Sequence, residues 1–258
     1  MRGAVLSRAI SLGGAPITLW LVAARLHTAD QGLYFVLLGV VTLAPFMEMG
    51  PATILVQFAS HEAGRLQWSA GGQLTGGVHA RTAISVLLHT ALRWHVRLAL
   101  LVLAVAGVVG AFVYAPRQES LGFLVLWLST IVLVAAYIVI VPFLAICEGT
   151  GAQVPLQHMR AVQAGGVLLA LWSGLLQHHA LLACWLAAFV QIGIAGGWLV
   201  LTRRGLLRAP TTLPSNLAGT QDTTLAGKLD LEQRRSAQLW LALQFASQAI
   251  APVLLVAH

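Results

Sequence analysis

The chain has 258 residues, 58% of them hydrophobic and 9% charged, with a mean hydropathy of +0.83. Soluble domains carry about 25% charged residues, so this chain has too few polar side chains to coat a water-soluble globule, and lipid is the solvent its composition implies. A net charge of +7 would point to nucleic acid if the bases gathered into one patch, but they are spread between apolar stretches, and Cys147 and Cys184 lack metal-ligand spacing; no nucleic-acid partner, metal or cofactor is expected.

Runs of about 20 apolar residues are the unit that crosses a bilayer as a helix. In chain order the predicted spans are 5–26, 33–58, 97–115, 121–147, 161–177, 180–202 and 236–257. All are read as helices, because backbone groups in hydrocarbon need partners within their own segment and these runs are too uniformly apolar for barrel strands. With a cytoplasmic N-terminus, all but Arg25 and Arg117 of the 15 Lys and Arg residues fall on the inner side, as the positive-inside rule requires.

Two inner connections are long. The first contains a Gly-rich stretch, residues 70–77, and then an amphipathic helix at about 81–95 with apolar residues at 84, 87, 88, 91 and 92, expected to lie on the inner leaflet with Arg81, His89 and Arg93 toward lipid phosphates. The second, 203–235, holds Pro210, Pro214 and Gly219 and reads as a flexible polar linker. The expected organisation is therefore an all-α membrane protein with a six-helix lobe over 1–202, a cytoplasmic linker over 203–235, and a seventh span in 236–258. That span is expected to open a second lobe in a longer chain.

Glu48 is the one carboxylate deep within a predicted span, where an ionised side chain costs about 2.5–3.5 kcal/mol on insertion scales. It stands between Pro45 and Gly50-Pro51. A proline frees the carbonyl four residues back, here that of Met47 for Pro51, so Glu48 and Pro51 are candidate coupling or gating residues on the wall of a cavity. Arg8 and Arg25 lie near opposite ends of the first span; each either snorkels to the interface or offers its fork of donors to a phosphate. Gln57, Gln163 and Gln191 are polar within or near spans, as cavity lining or as helix-packing glue. Gly193 and Gly197, in G-x-x-x-G spacing, and the pair Gly107 and Gly110 read as helix-packing sites. His61-Glu62-Ala63-Gly64-Arg65 lacks the second histidine of a zinc helix, and Leu171-Trp172-Ser173-Gly174 lacks the first glycine of a nucleophile turn. No catalytic residues are assigned and no enzymatic activity is expected.

The stretch Gly32-Leu33-Tyr34 through Glu48-Met49-Gly50 to Leu55-Val56-Gln57-Phe58-Ala59, and the turn Ile146-Cys147-Glu148-Gly149-Thr150-Gly151, resemble the first helical hairpin and the fourth-helix exit of O-antigen and polysaccharide flippases. These belong to the superfamily of multidrug, oligosaccharidyl-lipid and polysaccharide exporters. Glu48 stands where that family has an acid, and Gln57 where it commonly has a base. The resemblance implies one lobe of a two-lobe alternating-access transporter in the bacterial inner membrane. Its cargo would be an isoprenoid pyrophosphate-linked oligosaccharide, its pathway partners glycosyltransferases and a polymerase. In that picture Arg8, Arg25 and Gln57 face the substrate while Glu48 and Pro51 couple or gate. A cation-coupled multidrug exporter of the same superfamily, a membrane enzyme acting on lipid-linked sugars, and a non-transporting partner in polysaccharide synthesis remain as alternatives.

Overall fold

The computed structural model describes residues 2–41, 51–114, 121–208, 227–228, 231–232 and 235. Glu48, most of the linker and the predicted span at 236–257 lie outside the described residues. Among the described residues, eight α-helices and one hairpin follow in order: α1 (Arg2–Arg25), α2 (Thr28–Val41), α3 (Pro51–Ala63), β1 (Leu66–Trp68), β2 (Leu74–Gly76), α4 (Val78–Val109), α5 (Leu121–Gly149), α6 (Gln153–Leu176), α7 (Ala180–Thr202) and the short α8 (Arg204–Arg208). Four helices among the described residues are long and apolar enough to cross a membrane: 78–112, 121–149, 153–176 and 180–202. Shorter apolar helices run over 12–25 and 28–41.

Helix α4 joins two segments that hydropathy separates, 81–95 and 97–115. No glycine or proline stands between Val78 and Ala106, so nothing interrupts the backbone ladder. One buried face, Ile84, Leu87, Leu88, Ala91, His95, Ala99, Val102 and Ala106, continues at helical spacing. The opposite face exposes Leu100, Leu101, Val105 and Phe112, and α5 likewise exposes Leu121, Val125 and Val132. Outward apolar faces of this extent are unsuited to water and suited to lipid.

The helix beyond α4 continues as one wider π-helical turn, Gly110–Tyr114. Its cause is Trp127 of α5, fully buried and stacked on Phe123 with centroids 6.0 Å apart. Its indole N–H donates to the Ala106 carbonyl at 3.0 Å, the acceptor that the Gly110 amide also uses. A partner that inserts into the i to i−4 ladder widens it. A Cβ on Gly110 would collide with that indole.

Packing runs in a chain of neighbours: α1 along α6, α6 along α7, α7 along α5, and α5 against both α3 and α4, with α2 on α7. Close approach occurs where small residues meet. Gly149 lies against Ala59 and Val56 of α3, a Cβ there coming within 2.6 Å of Ala59 Cβ, and Gly174 lies against Ala183. Nothing lies within 4 Å of a Cβ placed at Gly193 or Gly197, so the G-x-x-x-G expected to pack helices meets no neighbour among the described residues.

Helix ends are closed by backbone motifs. After α5, Ala152 N–H donates to Cys147 O at 2.9 Å and Gly151 N–H to Glu148 O at 3.4 Å, with Gly151 at φ 91°. After α6, His179 N–H donates to Gly174 O at 3.2 Å and His178 N–H to Leu175 O at 3.0 Å, with His178 at φ 61°. Both are Schellman turns, which satisfy carbonyls that the helix leaves unpaired. A histidine fills the left-handed position in the second, where glycine is usual.

Candidate functional site

The ends of α3, α5 and α7 and the starts of α4 and α6 meet at the β1–β2 hairpin. The strands pair Leu66 with Gly76, Gln67 with Thr75 and Trp68 with Leu74. The loop closes on Ser69, whose N–H donates to Gln73 O at 2.9 Å and whose hydroxyl accepts from Gln73 N–H at 3.1 Å. The hairpin is docked: Trp68 Nε1–H donates to Thr150 O at 3.1 Å, and Gly72, at φ 71°, sits so close to the Thr202 carbonyl that no side chain would fit. The Arg203 guanidinium lies 4.2 Å over the Trp68 ring and 5.8 Å from the Trp198 ring centroid. Arg160 and Glu148 pair at 3.0 Å at the same end.

At the opposite end, α1 closes on the turn after α6. His178 Nδ1 donates to Arg25 O at 2.6 Å, which satisfies a terminal carbonyl of α1. Trp172 Nε1–H donates to Thr18 Oγ1 at 2.9 Å, and that hydroxyl donates to Gly14 O at 2.9 Å. Replacing His178 with alanine keeps the left-handed backbone and loses the bond, so a loss of about 1 kcal/mol is expected; a melt of purified His178→Ala against His178→Gly checks it, glycine being the milder change.

These bonds hold α1 on α6, while α2 packs on α7. The two helices share one turn, tied by Gln31 Nε2–H donating to Leu26 O at 3.0 Å, and then take different neighbours. Leu12, Ile17, Leu19 and Trp20 of α1 and Phe35 and Val36 of α2 stay exposed. Pro16 stands within α1.

Besides Thr18 and Thr130, whose hydroxyls donate to carbonyls of their own helices, two buried polar side chains lie within the described helices. Gln163 of α6 donates to Tyr137 OH at 3.3 Å and to Gln191 O at 3.0 Å, joining α5, α6 and α7. It is packing glue and not cavity lining. Gln163→Leu is expected to cost about 0.6 kcal/mol and at most about 1.7 kcal/mol, the range for such bonds in membranes, read by unfolding in detergent. His95 of α4 is fully buried; Nδ1 lies 2.8 Å from Ala91 O, and Nε2 has no partner among the described residues. Sequence reasoning passed over it because its neighbours Arg93 and Arg97 drew it into a surface segment.

The residues singled out from sequence are spread along the fold. Arg25 is exposed at the end of α1 away from the hairpin, with no acid paired to it among the described residues. Gln57 is exposed on α3 toward the hairpin, its carbonyl accepting from Ser60 at 2.7 Å. Arg8 falls in α1, near the other end of that helix from Arg25. Pro51 opens α3, a position where its missing amide is harmless. Glu48 lies outside the described residues.

No family model matches the chain, and neither the curated proteins nor the solved structures yield a match. What fold and composition define is a class, a helical membrane protein with four helices fit to cross a bilayer among the described residues.

Proposed function

We infer that the chain is one lobe of an alternating-access transporter that moves an isoprenoid pyrophosphate-linked oligosaccharide across the bacterial inner membrane, with the hairpin end in the cytoplasm. The observation that carries this reading is the parting of α1 and α2 onto different neighbours. Helices joined at one end and separated along their length are walls that a long, flexible cargo can enter between. The kinkable Pro16 and the motif resemblance of Gly32-Leu33-Tyr34 to polysaccharide flippases support it. Sidedness is supported by charge: Arg65, Arg81, Arg160, Arg203 and Arg204 stand at the hairpin end, against Arg25 at the other.

Arg8 and Arg25, near opposite ends of α1, are assigned to the pyrophosphate at successive steps of its passage, Gln57 to the sugar and Glu48 with Pro51 to coupling. The test is surface polysaccharide in cells whose own translocase is deleted, complemented with the whole gene product. Wild type restores the polymer, and Glu48→Gln or the pair Arg8→Ala with Arg25→Ala lowers it at least about tenfold, the effect of losing roughly 1.4 kcal/mol. Full restoration by both variants removes these residues from the mechanism. His95, an ionisable ring buried with one nitrogen unpartnered among the described residues, favours a second reading, a cation-coupled exporter of drugs. That reading requires raised tolerance to cationic dyes on expression, which the first does not.

A further inference from the structure

We propose that Arg203, clamped between Trp68 and Trp198 at the hairpin end, binds the phosphate of an anionic membrane phospholipid. The position of the cation is set before any ligand arrives. Trp68 is held through its indole N–H on Thr150 O, Thr150 caps α5 through its hydroxyl on Ile146 O at 2.6 Å, and Gly72 seats the hairpin on Thr202. Arg203 follows directly, its own N–H donating to Leu199 O at 2.8 Å. Both indoles therefore face a guanidinium that does not have to be ordered by its ligand, which is the condition for an arginine to bind without a large entropic penalty.

The cation is incomplete as it stands. Its Nε is buried and has no hydrogen-bond partner among the described residues. Glu148, the acid at the adjoining end of α5, is bound by Arg160 at 3.0 Å, and no other acid among the described residues pairs with Arg203. A guanidinium donates in a planar fork, and a phosphate presents two oxygens at the matching spacing. Carboxylates would match too, but the surroundings select a lipid. Half-buried tryptophans mark the depth of head groups. Just before the cation, Val200 and Leu201 of α7 are 48% and 75% exposed, an apolar strip for an acyl chain beneath the phosphate. Arg204 beside it is exposed, its Nε engaged by Val200 O at 2.7 Å, and adds a second positive charge. Basic pockets between helix ends of this kind are suited to anionic head groups. The inference concerns the membrane surface and does not depend on what the protein transports.

Native mass spectrometry of the purified protein from detergent supplies the test, with phosphatidylglycerol and phosphatidylcholine offered at equal concentration. Wild type is expected to retain one phosphatidylglycerol in preference, and Arg203→Gln to weaken that retention about fivefold, the effect of one basic residue at about 1 kcal/mol. Arg203→Lys, which keeps the charge and loses the fork, is expected between them; it serves alone if Arg203→Gln does not fold. Equal retention of both lipids by wild type overturns the proposal and requires no variant. So does Arg203→Gln that folds and keeps the preference, which would leave the arginine as a clamp for the hairpin. Millimolar inorganic phosphate is expected not to displace the lipid; displacement would assign the site to free phosphate and also overturn it.

Discussion

Alanine at position 127 is expected to destabilise the protein by about 3–5 kcal/mol, the range for removing a fully buried tryptophan. Trp127 has no exposed surface, stacks on Phe123 and supplies the indole N–H that shares the Ala106 carbonyl. Between helices in lipid the gain comes from close packing and not from removal of water, so the void left by alanine is the dominant loss. Unfolding of Trp127→Ala in detergent should show this loss together with an α4 end that returns to regular α-helical spacing. Gly110→Ala, which pushes a methyl into the indole, should fail in the same direction, by about 1–3 kcal/mol for overpacking. A Trp127→Ala midpoint near wild type would show that the α4–α5 contact is not formed as described.

Valine at position 72 should undock the hairpin and leave the helices in place. A β-branched residue at φ 71° is a steric outlier costing about 1–3 kcal/mol, and its Cβ would run into the Thr202 carbonyl. The hairpin has strands of only three residues each and cannot persist alone; its hold is the Trp68 bond to Thr150 and the Arg203 contact. Hydrogen exchange is the appropriate measurement. In Gly72→Val the amides of Ser69 and Gln73 should lose protection while those of α5 and α7 keep theirs. Unchanged protection at 69–73 would contradict the docking.

Much of the helical framework was legible because long apolar runs have few alternatives in lipid. The span read as 180–202 coincides with α7, and 121–147 falls two residues short of α5. The join in α4 was not legible, since Arg93 and Arg97 lower hydropathy locally without breaking a backbone that has no glycine or proline there. The hairpin was hidden for the opposite reason. Three-residue strands are too short to show alternation, and residues 70–77 display only their glycines. Glycine spacing was a poor guide among the described residues: Gly193 and Gly197 have the packing motif and meet no neighbour there, whereas Gly149 and Gly174, without it, touch the facing helix. Close approach depends on which face a crossing helix occupies, and one helix's sequence does not encode that.

The site was less legible than the frame. Arg25 and Gln57 stand out in the sequence by polarity in apolar surroundings, and the fold sets them toward opposite ends of the bundle, where they would meet different parts of a cargo or act at different steps. The Arg203, Trp68 and Trp198 cluster was hidden in the chain order, because Trp198 and Arg203 close α7 while Trp68 stands about 130 residues earlier on a strand that only the docked hairpin brings to them.

Movement of a lipid-linked oligosaccharide between leaflets tests the account most directly. The whole gene product is reconstituted in vesicles, with an isoprenoid pyrophosphate oligosaccharide in both leaflets and a membrane-impermeant glycosidase outside. Protection of about half the substrate in empty vesicles should give way to near-complete digestion with the wild-type protein, and return toward half with Glu48→Gln. Half protection with folded wild-type protein, at any membrane potential or pH gradient, would contradict the transport reading.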